Sequence, residues 1–285
     1  MERRFERLRK LREVLEPIAA SAYFSPEPLQ SLGGLGLDPL EAYFCGRSAP
    51  IGVLSPASAV SIFGFFKPDL VKRAIETGWK KTTPEKAIDA RLEGISKAFR
   101  RLLEGENIGR ALEALRPVGD ALESVPSISM PFFEAWRSVE IGDEDEYLQL
   151  WRICDLFREH RGGLHEAAWA TTGLTAPEAV VLSKLWWGMT DDSYLRVHGW
   201  SKDDCETALQ SLEKKGLAAQ GAITSEGLRL RDEVEELTDR GQDILISSVG
   251  EKALEDAGSA LEPLSRACID RRGYPLRQVP RRARH

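Results

Sequence analysis

Of the eight X-Pro steps in the first 84 residues, five read as helix starts: Ser25-Pro26, Asp38-Pro39, Ser55-Pro56, Lys67-Pro68 and Thr83-Pro84. Proline holds φ near the helical value and has no N–H, so it suits the first turn of a helix and is costly inside one. A serine, aspartate or threonine just before it offers an acceptor to the free N–H groups of that turn. The spacing predicts a string of short helices, the last and longest running from Pro84 to about Glu104. Ahead of them, Phe5, Leu8, Leu11, Leu15 and Ile18 form one apolar stripe at helical spacing, a first helix expected to end near Pro17. Gly33, Gly34 and Gly36 should break the helix that Pro26 opens, and the helix behind Pro39 should carry Tyr43-Phe44 to about Arg47.

The second half reads as helices with clearer ends. Asp143, Glu144 and Asp145 favour a helix N-terminus, and Leu148, Trp151, Ile153, Cys154 and Phe157 give that helix a broad apolar face. Gly162-Gly163 is expected to interrupt it, with a short helix from Leu164 to Ala170 beyond. Thr175-Ala176-Pro177-Glu178 opens another helix, to about Trp187. Ser201 caps the next, with Cys205, Leu209 and Leu212 facing inward and Gly216 closing it. Two very short strands about Gln220-Gly221 follow, then a long helix from Ser225 through Leu237 and a last one over 249–268. Pro126, Pro131 and Gly142 place a boundary between Ser124 and Glu146.

The charge is unevenly spread. The 285 residues hold 39 Lys and Arg against 45 Asp and Glu, a net charge of -6. Arg271, Arg272, Arg277, Arg281, Arg282 and Arg284 crowd the C-terminus without a single acid, which leaves residues 1–270 with 33 basic and 45 acidic groups. The body therefore repels polyanions on average and the tail attracts them. Pro275, Pro280 and the absence of apolar periodicity predict a disordered tail over 271–285. No apolar run approaches the roughly 18 residues of a membrane span. The charged start, MERRFERLRK, has no apolar signal region, so a cytoplasmic protein is expected. Cys45, Cys154, Cys205 and Cys268 lack metal or disulfide spacing and read as free, mostly buried thiols. No Walker loop, GxGxxG, GxSxG or HExxH is present.

The stretch SKDDCETALQSLEKKGLAAQGAITSEGLRLRDEVE over 201–235, a capped helix, a Gly-Leu step, a tight hairpin and a second capped helix, resembles a winged helix of the MarR type. That resemblance implies a recognition helix for a major groove and a wing for the backbone. Ser201, Lys202, Thr207, Gln210 and Lys214 are the positions then available to DNA. The helix itself is not basic: Lys202, Lys214 and Lys215 meet Asp203, Asp204, Glu206 and Glu213, so docking gains little from phosphate neutralisation. Two further stretches, Tyr43-Phe44-Cys45-Gly46-Arg47-Ser48-Ala49-Pro50-Ile51-Gly52 and Arg158-Glu159-His160-Arg161-Gly162-Gly163-Leu164-His165, resemble an actinobacterial family of helix-turn-helix proteins. Its pattern at the second stretch reads E-H-R-G-D-G-H. Glu159, His160, Arg161, Gly162 and His165 match it, while Gly163 and Leu164 depart, which removes an acid.

His160 and His165, with Arg161, are candidates to line a pocket and exchange protons near neutrality. A metal would need a third ligand, which the sequence does not name. Arg47, among small residues, is a candidate to hold a carboxylate or phosphate. Cys45 beside it reads as a structural thiol.

The expected fold is all-α: an aromatic-rich helical domain over 1–124, a linker over 125–144, and a winged-helix domain with a minimal two-strand wing over 145–270. The expected function is a MarR-like transcriptional regulator or sensor. It would bind a small apolar ligand through Arg47, His160, Arg161 and His165, with double-stranded DNA and a second copy of the chain, as a homodimer, as further partners. No cofactor is named by the residues. The rival is an enzyme or cofactor-binding protein on a winged-helix scaffold that has lost DNA binding.

Overall fold

Helix α1, Glu2–Phe24, runs straight through Pro17. This corrects the expected end at that proline. Leu8, Leu11, Leu15, Ile18, Ala19 and Ala22 are all buried along it, and it packs lengthwise on the last helix of the chain. Burial of six apolar side chains, each worth about 1–3 kcal/mol, exceeds the roughly 3 kcal/mol of a helical proline. The computed structural model describes residues 2–275. Arg277, Arg281, Arg282 and Arg284 of the basic tail lie outside the described residues.

The proline-led helices form as the sequence implies. They are α2 (Pro26–Gly33), α3 (Pro39–Ser48), α4 (Pro56–Ile62), α5 (Pro68–Gly78) and α6 (Pro84–Leu102), with a 3-10 turn over Ala49–Ile51. Asp38 caps α3 in a full capping box with Glu41. Around Phe44 and Phe63, whose rings meet edge to face at 4.8 Å, these helices close a core of their own with Leu32, Val71, Ile75 and Ala87.

A larger core joins α1, the second half of α6, α7 (Ile108–Ser124), α8 (Pro131–Arg137), the first half of α9 (Glu146–Ala170), α14 (Asp243–Val249) and α15 (Glu251–Asp270). It draws residues from both halves of the chain. Phe133 and Trp136 of α8, within the 125–144 segment, are buried in it.

Helix α9 is continuous, so the break expected at Gly162-Gly163 does not occur. A side chain at Gly163 would put its Cβ 2.6 Å from Met130 Cγ. The glycine is there for close packing, and packing on both flanks outweighs its roughly 1 kcal/mol helix penalty.

The third core, around Val180, Leu182, Leu212 and Val234, belongs to the winged helix. It comprises the end of α9, α10 (Ala176–Trp186), α11 (Ser193–Val197), α12 (Lys202–Lys214), strands β1 (Ala218–Ala219) and β2 (Ala222–Ile223), and α13 (Ser225–Gly241). The strands pair antiparallel, Ala218 with Ile223 and Ala219 with Ala222. Gln220 and Gly221 both have positive φ, 51° and 74°, the type I′ turn that suits a two-residue hairpin loop. The fold is mainly helical, with this hairpin as its minimal wing.

Candidate functional site

Residues 155–169 of α9 lie between the large core and the winged-helix core, and their polar side chains form a seam against α1, α3 and α13. Arg47 reaches it from the last turn of α3. Its Nε and Nη2 grip Glu159 Oε1 and Oε2 at 3.2 and 2.7 Å. The Tyr23 hydroxyl donates to Glu159 at 3.3 Å and Arg158 Nη1 adds a contact at 3.1 Å. Arg47 also donates to the Tyr43 hydroxyl and stacks 4.1 Å from the Phe132 ring centre. Burial alone would raise the Glu159 carboxyl, but Arg47 and Arg158 hold it below its ordinary range.

Two neighbouring carboxyls behave oppositely. Asp155, one turn before Glu159, is buried, and the ionised Glu159 adds to the effect, so its pKa is pushed up to about 7. Glu166, two turns beyond Glu159, is pushed up to about 7 as well, chiefly by burial. Three carboxyls on one flank of α9 thus divide into one fixed anion and two groups poised near neutrality, the kind of separation found at functional sites.

The other end of the seam is built on Glu235 of α13. Arg161 Nη2 and Arg231 Nη2 each lie 2.6 Å from its carboxylate, and Arg12 stands at 3.7 Å. These arginines hold Glu235 well below its ordinary pKa against the opposing effect of burial. Arg161 is itself lowered to about 10 by burial and by Arg12. Next to it, Trp169 Nε1 donates to His165 Nε2 at 3.0 Å, so the proton of His165 sits on Nδ1. That nitrogen donates to Thr238 Oγ1 at 3.1 Å, which in turn donates to the Val234 carbonyl. Burial, with Arg161, keeps this imidazole neutral.

The structure therefore brings Arg161 and His165 together, and places Arg47 at the neighbouring Glu159 network. His160 lies apart. On a continuous helix it is turned about 140° from His165, and its ring packs edge to face on Phe133 at 5.0 Å in the large core. Burial, reinforced by Arg137, lowers it to about 4. Burial also raises the Cys45 thiol to about 12, which makes it no nucleophile at neutral pH. An open groove of about 490 Å³ lies along α15, lined by Glu106, Glu262, Arg266 and Asp270 among others. None of Arg47, His160, Arg161 and His165 lines it.

On the winged helix, Ser201, Lys202, Thr207, Gln210 and Lys214 all face solvent. So do Asp203, Glu206 and Glu213, and Lys202 pairs with Glu206 at 3.5 Å. Lys67, the residue before α5, closes on the first turn of α12. Its Nζ is 2.5 Å from Asp204, and its backbone N–H donates to the His198 carbonyl at 2.9 Å. Trp200 Nε1 donates to the Phe65 carbonyl at 2.9 Å beside it.

Compared with known families, residues 8–275 match the model of a Helix-turn-helix family. The chain belongs to this helix-turn-helix family. Neither the curated proteins nor the solved structures provide a match. The family match covers all three cores, so in this helix-turn-helix protein the helical first half is as much part of the family's fold as the winged helix.

Sequence reasoning missed Asp155, Glu166, Tyr23 and Glu235. A signal existed for two of them, since positions 155, 159 and 166 share one flank of an unbroken helix. Reading Gly162-Gly163 as a break put Glu166 on another element and hid it.

Proposed function

We propose that this helix-turn-helix protein is a cytoplasmic, MarR-like transcriptional regulator that binds double-stranded DNA through α12 and the β1–β2 wing. The observation that carries the reading is a capped, solvent-facing helix next to a hairpin wing, both mounted on a separate core. Ser201, Lys202, Thr207, Gln210 and Lys214 are the side chains that meet the duplex. In this reading the seam along α9 is the sensing part, where Arg47, Arg161 and His165 answer to a small ligand. Homodimerisation through the winged helix would give two-fold symmetric half-sites.

Acids on the same face favour a second reading. Lys202 and Lys214 are outnumbered by Asp203, Glu206 and Glu213, so phosphate neutralisation contributes little. On that reading the winged helix is a scaffold for an enzyme or cofactor-binding protein.

Arg271 donates to the Leu102 and Glu104 carbonyls, and Tyr274 is buried against Phe24. The comparison that separates the two is therefore between the full chain and a chain ending at residue 275, each tested on own-promoter and random duplexes over a salt series. The regulator reading expects promoter-specific binding that survives loss of the tail and is abolished by Gln210→Ala with Lys214→Ala. Binding that needs the tail, ignores sequence and vanishes with modest salt overturns it in favour of the scaffold.

A further inference from the structure

Arg91 of α6 is 2% exposed, and its guanidinium sits among three aromatic faces. Its Cζ lies 4.7 Å from the Tyr23 ring centre, 5.2 Å from Trp136 and 5.8 Å from Trp151. These faces fix its position, yet Nε and Nη2 have no hydrogen-bond partner in the protein. Those two nitrogens form one edge of the guanidinium, the edge that matches the two oxygens of a carboxylate. Arg47 shows that use a short distance away, gripping both oxygens of Glu159 with the same pair of atoms. The matching edge of Arg91 grips nothing.

Two other buried groups of the same neighbourhood are orphaned. Trp151 Nε1 has no acceptor, whereas Trp136 Nε1 donates to the Arg47 carbonyl at 3.0 Å. Asp155, 1% exposed, has neither oxygen hydrogen-bonded, and no ion pair joins it to Arg91. Five orphaned polar atoms on three residues are far from the usual condition of a protein interior, and an unmatched buried guanidinium edge is especially costly. A narrow crevice filled by its own side chains, walled by Trp136, Ile141, Trp151, Arg152 and Leu156, reaches Asp155 and stops short of Arg91.

Charge points to the kind of guest. Arg47 from α3, Arg91 from α6 and Arg158 from α9 face Asp155, and they meet Glu159 of α9 and Glu16 of α1 as fixed acids and Glu166 of α9 as a second carboxyl poised near neutrality; Tyr23 of α1 is neutral. One positive charge is left over when Asp155 and Glu166 both carry their protons, the condition met at pH 6.

We propose that Arg91, Trp151 and protonated Asp155 form a site for one small oxyanion, a carboxylate the size of formate or acetate. Arg91 grips two oxygens through Nε and Nη2, Trp151 Nε1 donates to one of them, and the Asp155 hydroxyl donates as well. Tyr23, Trp136 and Trp151 exclude water from the bound group. The crevice does not admit a water-sized sphere as its side chains stand, so binding requires the part-exposed Ile141 to swing aside while Trp136, tied to the Arg47 carbonyl, stays in place, which limits the guest to a few heavy atoms. The site is independent of DNA binding. It differs from the Arg161–Glu235 end of the seam, where every carboxylate already has its arginines.

The test is titration of the full chain with ¹³C-formate and with acetate, followed by NMR and tryptophan fluorescence, between pH 6 and 8 at constant ionic strength with chloride as control. The expected result is saturable binding at pH 6 that weakens about tenfold per pH unit once Asp155 ionises, because the anion and one proton bind together. Arg91→Lys, which keeps the charge and loses the two-point edge, should weaken it at least tenfold. Asp155→Asn should keep binding and lose its pH dependence. If Arg91→Lys does not fold, the Asp155→Asn pH profile alone decides. No saturable signal at pH 6, an equal response to chloride, or an unchanged pH profile in Asp155→Asn overturns the proposal.

Discussion

Arg47 and Glu159, 112 residues apart in the chain, form a two-point ion pair whose carboxylate is 2% exposed and whose guanidinium side chain is 11% exposed. It ties the last turn of α3 to the middle of α9 where the large core gives way to the winged helix. Removing one partner of such a pair leaves the other buried and unmatched, at about 3–5 kcal/mol. Glu159→Gln should cost about that much, and the paired replacement Arg47→Met with Glu159→Met should cost less than the sum of its two single replacements. Urea unfolding of the double-mutant cycle at pH 7 measures this. Additive single effects would show that the pair does not couple the two helices.

The buried titratable groups of α9 oppose one another in pH dependence. Asp155 and Glu166, raised to about 7, bind protons more tightly folded than unfolded, so the stability they add at low pH is lost as pH rises towards 7. His160, lowered to about 4, and His165, lowered well below its ordinary value, do the reverse. Their contribution is complete above the unfolded value of about 6.5 and is lost as pH falls. Between pH 5 and 6.5 the two pairs nearly cancel in the parent chain. Asp155→Asn should therefore make stability rise with pH across that window, and His160→Leu should make it fall. Each slope approaches about 1.4 kcal/mol per pH unit for one proton. Unfolding free energies at pH 5, 5.75 and 6.5 for the three proteins check both signs, and equal slopes in all three would contradict them.

Much of the winged helix was legible because its signals are local. Ser201 caps α12 in a capping box with Asp204, Thr224 caps α13, and Gly216 ends α12 with φ at +74°. Each is a rule about neighbours in sequence. Pro17 and Gly162-Gly163 misled for the opposite reason: local preference was outweighed by burial, which a single helical stripe does not reveal. The Arg47–Glu159 pair has no sequence signature at all, since nothing in the residues around Arg47 specifies which carboxylate meets it. Arg91 was invisible for the same reason, standing among charged neighbours in α6 that face solvent.

Lys67 and Asp204 pair across 137 residues, with side chains 33% and 31% exposed. Solvent screening limits such a pair to about 0–1 kcal/mol, so Lys67→Met should leave the unfolding midpoint almost unchanged. Its local effect should be clear. The Asp204 carboxyl, held at about 2 first by Lys67 and then by Ser201, should move upward, which carboxyl-detected NMR reads directly. A loss of several kcal/mol instead would mean that the clasp between the 65–67 segment and the start of α12 holds the winged helix in place.

Two glycines in helices should respond to alanine with opposite signs. At Gly227, in the first turn of α13, a Cβ would stand 2.2 Å from the Leu217 carbonyl oxygen and 2.8 Å from Ile223 Cγ1. The nearer atom is backbone and cannot rotate away, so Gly227→Ala must push α13 off the wing and should cost about 2 kcal/mol or more. At Gly258, inside α15, a Cβ meets nothing within 4 Å. There alanine only restricts the unfolded chain and favours the helix, for a gain of about 0.5–1 kcal/mol. Thermal unfolding of both variants distinguishes close approach from simple helix propensity. Equal destabilisation by the two would mean that α13 does not rest on the wing through the position of Gly227.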